Sequence, residues 1–357
     1  MEPKKIISGR GAQERVHNRF SSNHHELRDD FLNYLQKEDE PIQNYKTTFI
    51  ETFPKTIINK VSSPDVGMLY SLNPYQGCEH GCLYCYARNS HEYWGYGAGI
   101  DFESKILIKR NAPELLEKKL KSKHWKAYPI ALSGNTDCYQ PAEKKLKITR
   151  ELLKVFLKYK HPVGIITKNA LILRDVDLLS KLAEDNLVSI FLSITSLQEQ
   201  TRRILEPRTA SIKKRLETLE KLNQLGIPTN VMMAPIIPSV NSHEILDLSK
   251  EVSNRGAKSI GYTIVRLNGA IGQIFVKWLE HTLPDRKDKI LNQIMECHNG
   301  NLNDSEFGRR MKGSGKIADQ IHQMFRIARQ KYFGKKNNIF LNCDLHDSHK
   351  DGQLKLF

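Results

Sequence analysis

At 357 residues and a formal net charge of +15, the chain is long enough to bury a full core, and its positive balance points to an anionic partner such as nucleic acid. Its six cysteines, three of them gathered in one short stretch, do not form the even framework of a disulfide-stapled secreted domain, so a reducing cytosol is expected. No run reaches the ~18 apolar residues of a membrane span, and the start MEPKKIISGRGAQ has no apolar signal core, which leaves a cytoplasmic protein without a membrane partner as the expectation.

In chain order, residues 1–64 are polar, carry an acidic patch from Glu26 to Glu40 and hold no long periodic segment. They read as an extension that wraps or caps the main body. From about residue 66 short apolar runs alternate with helical patterns, which is the signature of β–α units around a parallel sheet. Strands are expected at Gly67–Leu72, Ile130–Ser133, Val163–Thr167, Val188–Ile194, Thr229–Ala234 and Ser259–Val265. Between them, Ile212, Leu216, Leu219, Leu222 and Leu225 recur at helical spacing and Gly226 ends the run. Residues 174–186 and 242–254 behave alike, the second with Asn241 and Ser242 as candidate caps. The expected fold is α/β, a partial six-stranded (β/α) barrel over residues 65–268. A helical extension over 269–345 and a flexible tail over 346–357 complete the expected organisation. In KIADQIHQMFRIARQKYF, Ile317, Ile321, Met324, Phe325 and Ala328 share one face and should pack on the barrel.

After the first expected strand comes NPYQGCEHGCLYCYAR, with Cys78, Cys82 and Cys85 spaced C-x-x-x-C-x-x-C and Tyr84 directly before the last. Three thiolates on a short loop suit three irons of a [4Fe–4S] cluster, since soft sulfur ligands favour iron–sulfur over hard cations. The fourth iron then remains open to chelate an amine and a carboxylate, both of which S-adenosylmethionine carries. One electron from such a cluster cleaves a carbon–sulfur bond and yields a 5′-deoxyadenosyl radical. Gly77 and Gly81 bracket the loop and permit the turns that wrapping a cluster requires. The alternative is a zinc site completed by His80 or His91; otherwise His80 is expected to be a solvated side chain. Loops at the carboxyl ends of parallel strands are where such folds put chemistry.

Basic residues cluster in KKLKSKHWK (118–126), KKLK (144–147), KKR (213–215), RRMKGSGK (309–316) and RQKYFGKK (329–336), each readable as a solvated face or as a phosphate contact. Cys297 and Cys343 stand alone and read as structural.

The cysteine loop, together with GRGAQERVHNRF, SGNTDCYQPAEKKLKITR, TKNALILRDVDLL, LSITS, EPRTASIKKRLETLEKLNQLGI, APIIPSVN and RMKGSGKIA, resembles a bacterial radical S-adenosylmethionine family related to spore photoproduct lyase and often labelled a DNA repair photolyase. The resemblance runs over nearly the whole chain. It implies that Cys78, Cys82 and Cys85 bind the cluster and that Tyr84 lies near the adenine. Asn135, Thr136 and Asp137 would contact the methionine amino group or ribose. Lys168 and Ser193 would also bind the cofactor, Lys168 by pairing with the methionine carboxylate, and Arg208 would hold that carboxylate or close a loop. Cys138 is a candidate hydrogen donor to a substrate radical or else a buried packing residue, and Tyr86 is a candidate hydrogen-atom relay or a packing residue. A reductant such as flavodoxin or ferredoxin is implied.

The last five residues, with Gln353, Leu354, Leu356 and Phe357, resemble the pentapeptide by which bacterial DNA polymerases and repair proteins bind the replication sliding clamp; packing on the barrel is the other reading. The leading functional expectation is a radical enzyme repairing or modifying a DNA base. The alternatives are the same chemistry on RNA or a peptide, and a non-catalytic iron–sulfur protein that binds nucleic acid.

Overall fold

The computed structural model describes residues 7, 9–21, 46–334 and 340–350. Ten strands form two sheets: β1 (Thr48–Thr52), β2 (Ile58–Lys60), β3 (Tyr70–Leu72), β4 (Tyr75–Gln76), β5 (Lys105–Lys109), β6 (Ile130–Leu132), β7 (Val163–Thr167), β8 (Val188–Ser193), β9 (Thr229–Ile236) and β10 (Ile260–Ile264). The larger sheet has the order β10-β9-β8-β7-β6-β3-β2. Its six strands from β3 to β10 are parallel, and β2 pairs antiparallel with β3 at one edge. The sheet does not close, so the expected partial barrel is the fold. Each parallel strand returns to the next through a helix, as the handed crossover of β–α units requires.

The two faces of the sheet differ in burial. Ile165, Ile190, Leu192, Val231 and Met233 are fully buried in apolar layers shared with the helices Ile148–Lys158, Val176–Glu184, Ile212–Gln224 and Ile245–Asn254. The alternating positions Gly164, Ile166, Phe191, Met232 and Gly261 are only half-buried and line the concave face. Ser211 caps its helix by accepting from the Lys214 amide at 3.3 Å, and Gly226 ends it with φ +71°. Asn241 is no cap. Its amide oxygen accepts from Ile237 N at 2.7 Å and its amide nitrogen donates to Thr195 O at 2.8 Å, stitching the segments that follow β8 and β9.

The first 64 residues contribute more regular structure than an extension without periodicity suggests. Strand β1 pairs parallel with β5, and β5 pairs antiparallel with β4, giving a second three-stranded sheet. The first expected barrel strand is shorter than its apolar run, because the Met68 amide turns back onto Val66 O at 2.8 Å. After β10 come the helices Ala270–Thr282, Lys287–Cys297, Lys316–Tyr332 and Asp344–Lys350, the last with His346 buried, so the boundary expected at 346 for a flexible tail falls inside a helix. In Lys316–Tyr332, Ala318, Ile321 and Phe325 are buried, with Ile317 and Met324 partly so, in the layer that also holds Leu248 and Val252, and Ala328 is buried as well. Cys297 is buried in the same layer. The acidic patch Glu26–Glu40 and the tail residues Gln353, Leu354, Leu356 and Phe357 lie outside the described residues. Among the described residues no helix is long and apolar enough to cross a membrane.

Candidate active site

The cysteine stretch begins where β4 ends and is bound on two sides. Gly77 and Gly81 sit at φ +81° and +68°, the left-handed region that glycine adopts without strain. A Cβ at Gly77 would stand 2.8 Å from Lys105 O, and one at Gly81 would stand 2.8 Å from Glu103 Oε2. The Cys78 amide donates to Phe102 O at 2.8 Å. Beneath the loop, Glu103 and Arg88 form a fully buried ion pair. Arg88 also donates to Cys82 O at 3.0 Å, and Glu103 accepts the Gly11 and Ala12 amides at 3.0 and 2.8 Å. The early GRGA segment therefore clasps the loop, and it does so closely enough that a Cβ at Gly11 would stand 1.8 Å from Gly81 O.

On its other side the loop meets residues that follow the carboxyl ends of β6, β7 and β8. His80 is not solvated, contrary to the expectation from sequence. It is 1% exposed, with Nδ1 3.3 Å from Asp137 and Nε2 3.2 Å from the Asn169 amide nitrogen. Leu83 N donates to Leu205 O at 3.1 Å and Arg208 N donates to His80 O at 3.2 Å. The Tyr84 hydroxyl donates to Glu206.

Glu206 is the electrostatic centre of this region, although the EPR phrase that it opens drew attention only to Arg208. It is fully buried and accepts from Tyr84, Arg215 and, at 2.8 Å, Thr195, while Lys168 Nζ stands 3.8 Å away. Burial alone would raise its carboxyl, but Arg215, Lys168 and the hydrogen bonds outweigh that and hold it down at about 2. Lys168 also lies 5.8 Å from the Tyr84 ring centroid. Arg215 in turn donates to Ser193 O at 2.9 Å, which fixes the end of β8.

The polar turn after β6 is braced from within. Asn135 donates to Gln76 at 3.1 Å and Ser90 at 3.0 Å, and Thr136 donates to Tyr75 O at 2.7 Å. Asp137 accepts Tyr139 N, Thr167 Oγ1 and Lys168 N, each at 2.8 Å. Burial works against its charge, yet His80 and these donors win and its carboxyl is lowered. Arg208 pairs with Glu79 at 3.2 Å, and Glu79 also accepts from Thr47 at 2.9 Å. Tyr86 is 55% exposed and reaches from just past the loop to donate to Gly134 O. Cys138 is set apart from the other three cysteines. It is fully buried in the apolar layer with Leu132, Tyr139 and Ile148, and burial pushes its thiol well up.

All three loop cysteines are free, with Cys78 and Cys82 buried and Cys85 half-buried. Burial pushes the Cys82 thiol well up and the Cys85 thiol to about 11, so a bound cation has to supply the charge that makes them thiolates. Three cysteine thiolates on one short loop are the donor set of a cubane, in which each sits on a different iron.

The Radical SAM superfamily matches residues 72–252, about half of the chain. The chain belongs to the radical SAM superfamily. Membership implies a [4Fe–4S] cluster and S-adenosylmethionine as cofactors, and that chemistry needs an external electron donor. An uncharacterized protein of Mycobacterium tuberculosis is 31% identical over 243 residues, covering 67% of this chain and 71% of its own length. An uncharacterized protein of Methanocaldococcus jannaschii is 31% identical over 250 residues, covering 70% and 89% respectively. Among solved structures, spore photoproduct lyase complexed with dinucleoside spore photoproduct matches with a TM-score of 0.60 at 14% identity over 82% of both chains. A form of that lyase with bound AdoMet and the same dinucleoside matches with a TM-score of 0.62 at 14% identity, over 84% of both. At 82–84% of this chain, the shared fold covers more than the superfamily segment.

Proposed function

We propose that this radical SAM enzyme acts on nucleic acid, with a DNA base as substrate and repair of a base lesion as the reaction. The observation that carries the proposal is the meeting, at the carboxyl ends of the parallel strands, of a loop with three free cysteines and a half-exposed tyrosine, Tyr86. The net charge of +15 supports an anionic substrate, and the solved lyase of the same fold is one complexed with a dinucleoside photoproduct.

In this reading Cys78, Cys82 and Cys85 hold three irons. When bound, the reduced cluster and S-adenosylmethionine supply a 5′-deoxyadenosyl radical able to take hydrogen from an unactivated carbon. The chain's own residues do the positioning. Tyr84, fixed by its hydrogen bond to Glu206, presents its ring to the adenine. Lys168 meets Glu206 only at 3.8 Å and keeps donors for a carboxylate, which suits it to the methionine end. Asn135, Thr136 and Ser193 complete the cofactor wall. Asp137 has its oxygens taken by four partners, and Arg208 is engaged by Glu79, so both shape the loop rather than reach outward. Tyr86 stands at the opening as the hydrogen-atom relay, whereas packing is the role that the burial of Cys138 supports. Flavodoxin or ferredoxin would supply the electron, and the tail from Gln353 to Phe357 would tether the enzyme to the sliding clamp.

The test is anaerobic turnover of the reconstituted, reduced protein with ultraviolet-damaged DNA, intact DNA, RNA or a peptide, quantifying 5′-deoxyadenosine and restored bases. Formation stimulated by damaged DNA with restored bases supports repair. Stimulation by RNA or the peptide alone moves the substrate there, and equal formation without polymer removes nucleic acid from the proposal.

A further inference from the structure

The basic run at 118–126 does not lie on the cysteine side of the barrel. It lies at the opposite rim, where β3 and β6 begin, and borders a groove of about 420 Å³ on the helix-covered face. Lys60 from edge strand β2, Lys119 from the helix Ala112–Leu120, and His124 and Lys126 from the loop before β6 are exposed around it. None of the residues lining it is acidic. The nearby Glu117 does not offset them, because Lys158 engages it at 2.7 Å and Lys121 at 3.3 Å.

Between these cations runs a tier of rings. Tyr70 and Trp125 have centroids 4.8 Å apart, Tyr70 and Tyr128 are 6.2 Å apart, and Lys119 Nζ stands 5.1 Å from the Trp125 ring. Trp125 is buried and held in place, its Nε1 donating to His161 Nε2 at 3.1 Å. Tyr128 is 43% exposed and offers its ring to solvent. The arrangement gathers like charges that repel one another and leaves the Tyr128 ring wet, two costs in the free chain that a bound anion would relieve. It matches an anionic polymer with flat apolar groups, whose phosphates meet the ammonium rim while a base stacks on the tyrosines.

We infer that this groove is a second nucleic-acid contact, taking a short single-stranded stretch remote from the cysteine loop. The inference goes beyond the radical chemistry and does not depend on it, because neither cluster nor cofactor takes part in the binding.

Binding of a fluorescent single-stranded 15-mer to the full-length protein, followed by anisotropy over a salt series, tests this directly. Tyr128→Ala should weaken binding roughly five- to hundredfold, the range that one lost base stack produces. The double variant Lys60→Gln/Lys126→Gln should lower the slope of log affinity against log salt by about 1.4, at ~0.7 per phosphate contact on a single strand. All variants should melt with the wild type, since the substituted side chains are exposed. Wild-type affinity and slope in both variants overturn the inference while leaving nucleic acid at the barrel opening untouched. Equal losses against polyglutamate also overturn it, by assigning the groove to acidic peptides. A wild type that binds no strand overturns it outright, while stimulation of turnover by damaged DNA still judges the functional proposal separately.

Discussion

Replacing Glu206 by Gln keeps the shape of the side chain and removes its charge, leaving Arg215 fully buried and Lys168 nearly so without their carboxylate. Breaking a buried ion pair from one side costs about 3–5 kcal/mol, because the remaining charge stays desolvated. Arg215 retains hydrogen bonds to Ala210 O and Ser193 O, both at 2.9 Å, which favours the lower end. At ~2.1 cal/mol/K per residue, a 357-residue chain has an unfolding entropy of about 0.75 kcal/mol/K, so the melting temperature should fall by about 4–7 °C. The assay is thermal melting of the cluster-free protein, which separates the fold from metal loading. The double variant Glu206→Gln/Arg215→Gln removes both charges and should recover part of the loss, giving a coupling of at least ~1 kcal/mol. A fall below about 1 °C, with no coupling, would refute the placing of Glu206 as the neutralising centre of this region.

Gly11→Ala places a methyl 1.8 Å from Gly81 O and should displace the clasp on the cysteine loop, visible as reduced iron retention after desalting, whereas Gly9→Ala meets no atom within 4 Å and strains only its own positive φ. Burial, and then His346, depress His161 to about 3, against the ordinary 6.5. Its stabilising contribution is complete above pH 6.5 and is lost as pH falls towards 3, by up to about 1.4 kcal/mol per unit. Urea midpoints at several pH values should therefore fall less steeply in His161→Gln than in the wild type. Deleting residues 353–357 should abolish binding to the sliding clamp without reducing cofactor cleavage; clamp binding retained by the deletion removes that role from the tail.

The barrel was legible because its signal is local. The run Val163–Thr167 coincides with β7, and 188–194, 229–234 and 259–265 match β8, β9 and β10 to within two residues, since strands buried on the helix side show as bounded apolar runs. The second sheet was not legible. Its partners β1 and β5 lie 57 residues apart, Thr48 opposite Lys105, and TFIET has three exposed positions and no fully buried one, so no window of sequence contains the reason it is a strand. At the site, cysteine spacing announces itself, but the role of Glu206 does not. It stands two residues before Arg208, and which of the two faces Lys168 is decided by the turn at 206–209, where Thr209 N returns to Glu206 O at 3.2 Å. The pairing of His80 with Asp137 likewise joins residues 57 positions apart and leaves no mark in either neighbourhood.

The central claim is that Cys78, Cys82 and Cys85 carry the cluster that cleaves S-adenosylmethionine. It is tested most directly by reconstituting the wild type, the triple variant Cys78→Ala/Cys82→Ala/Cys85→Ala and Cys138→Ala without oxygen, reducing each, and measuring iron and 5′-deoxyadenosine. The account predicts about four irons per chain and product from the wild type and from Cys138→Ala, and neither from the triple variant. Product from the triple variant, or none from a wild type with an intact reduced cluster, would contradict it.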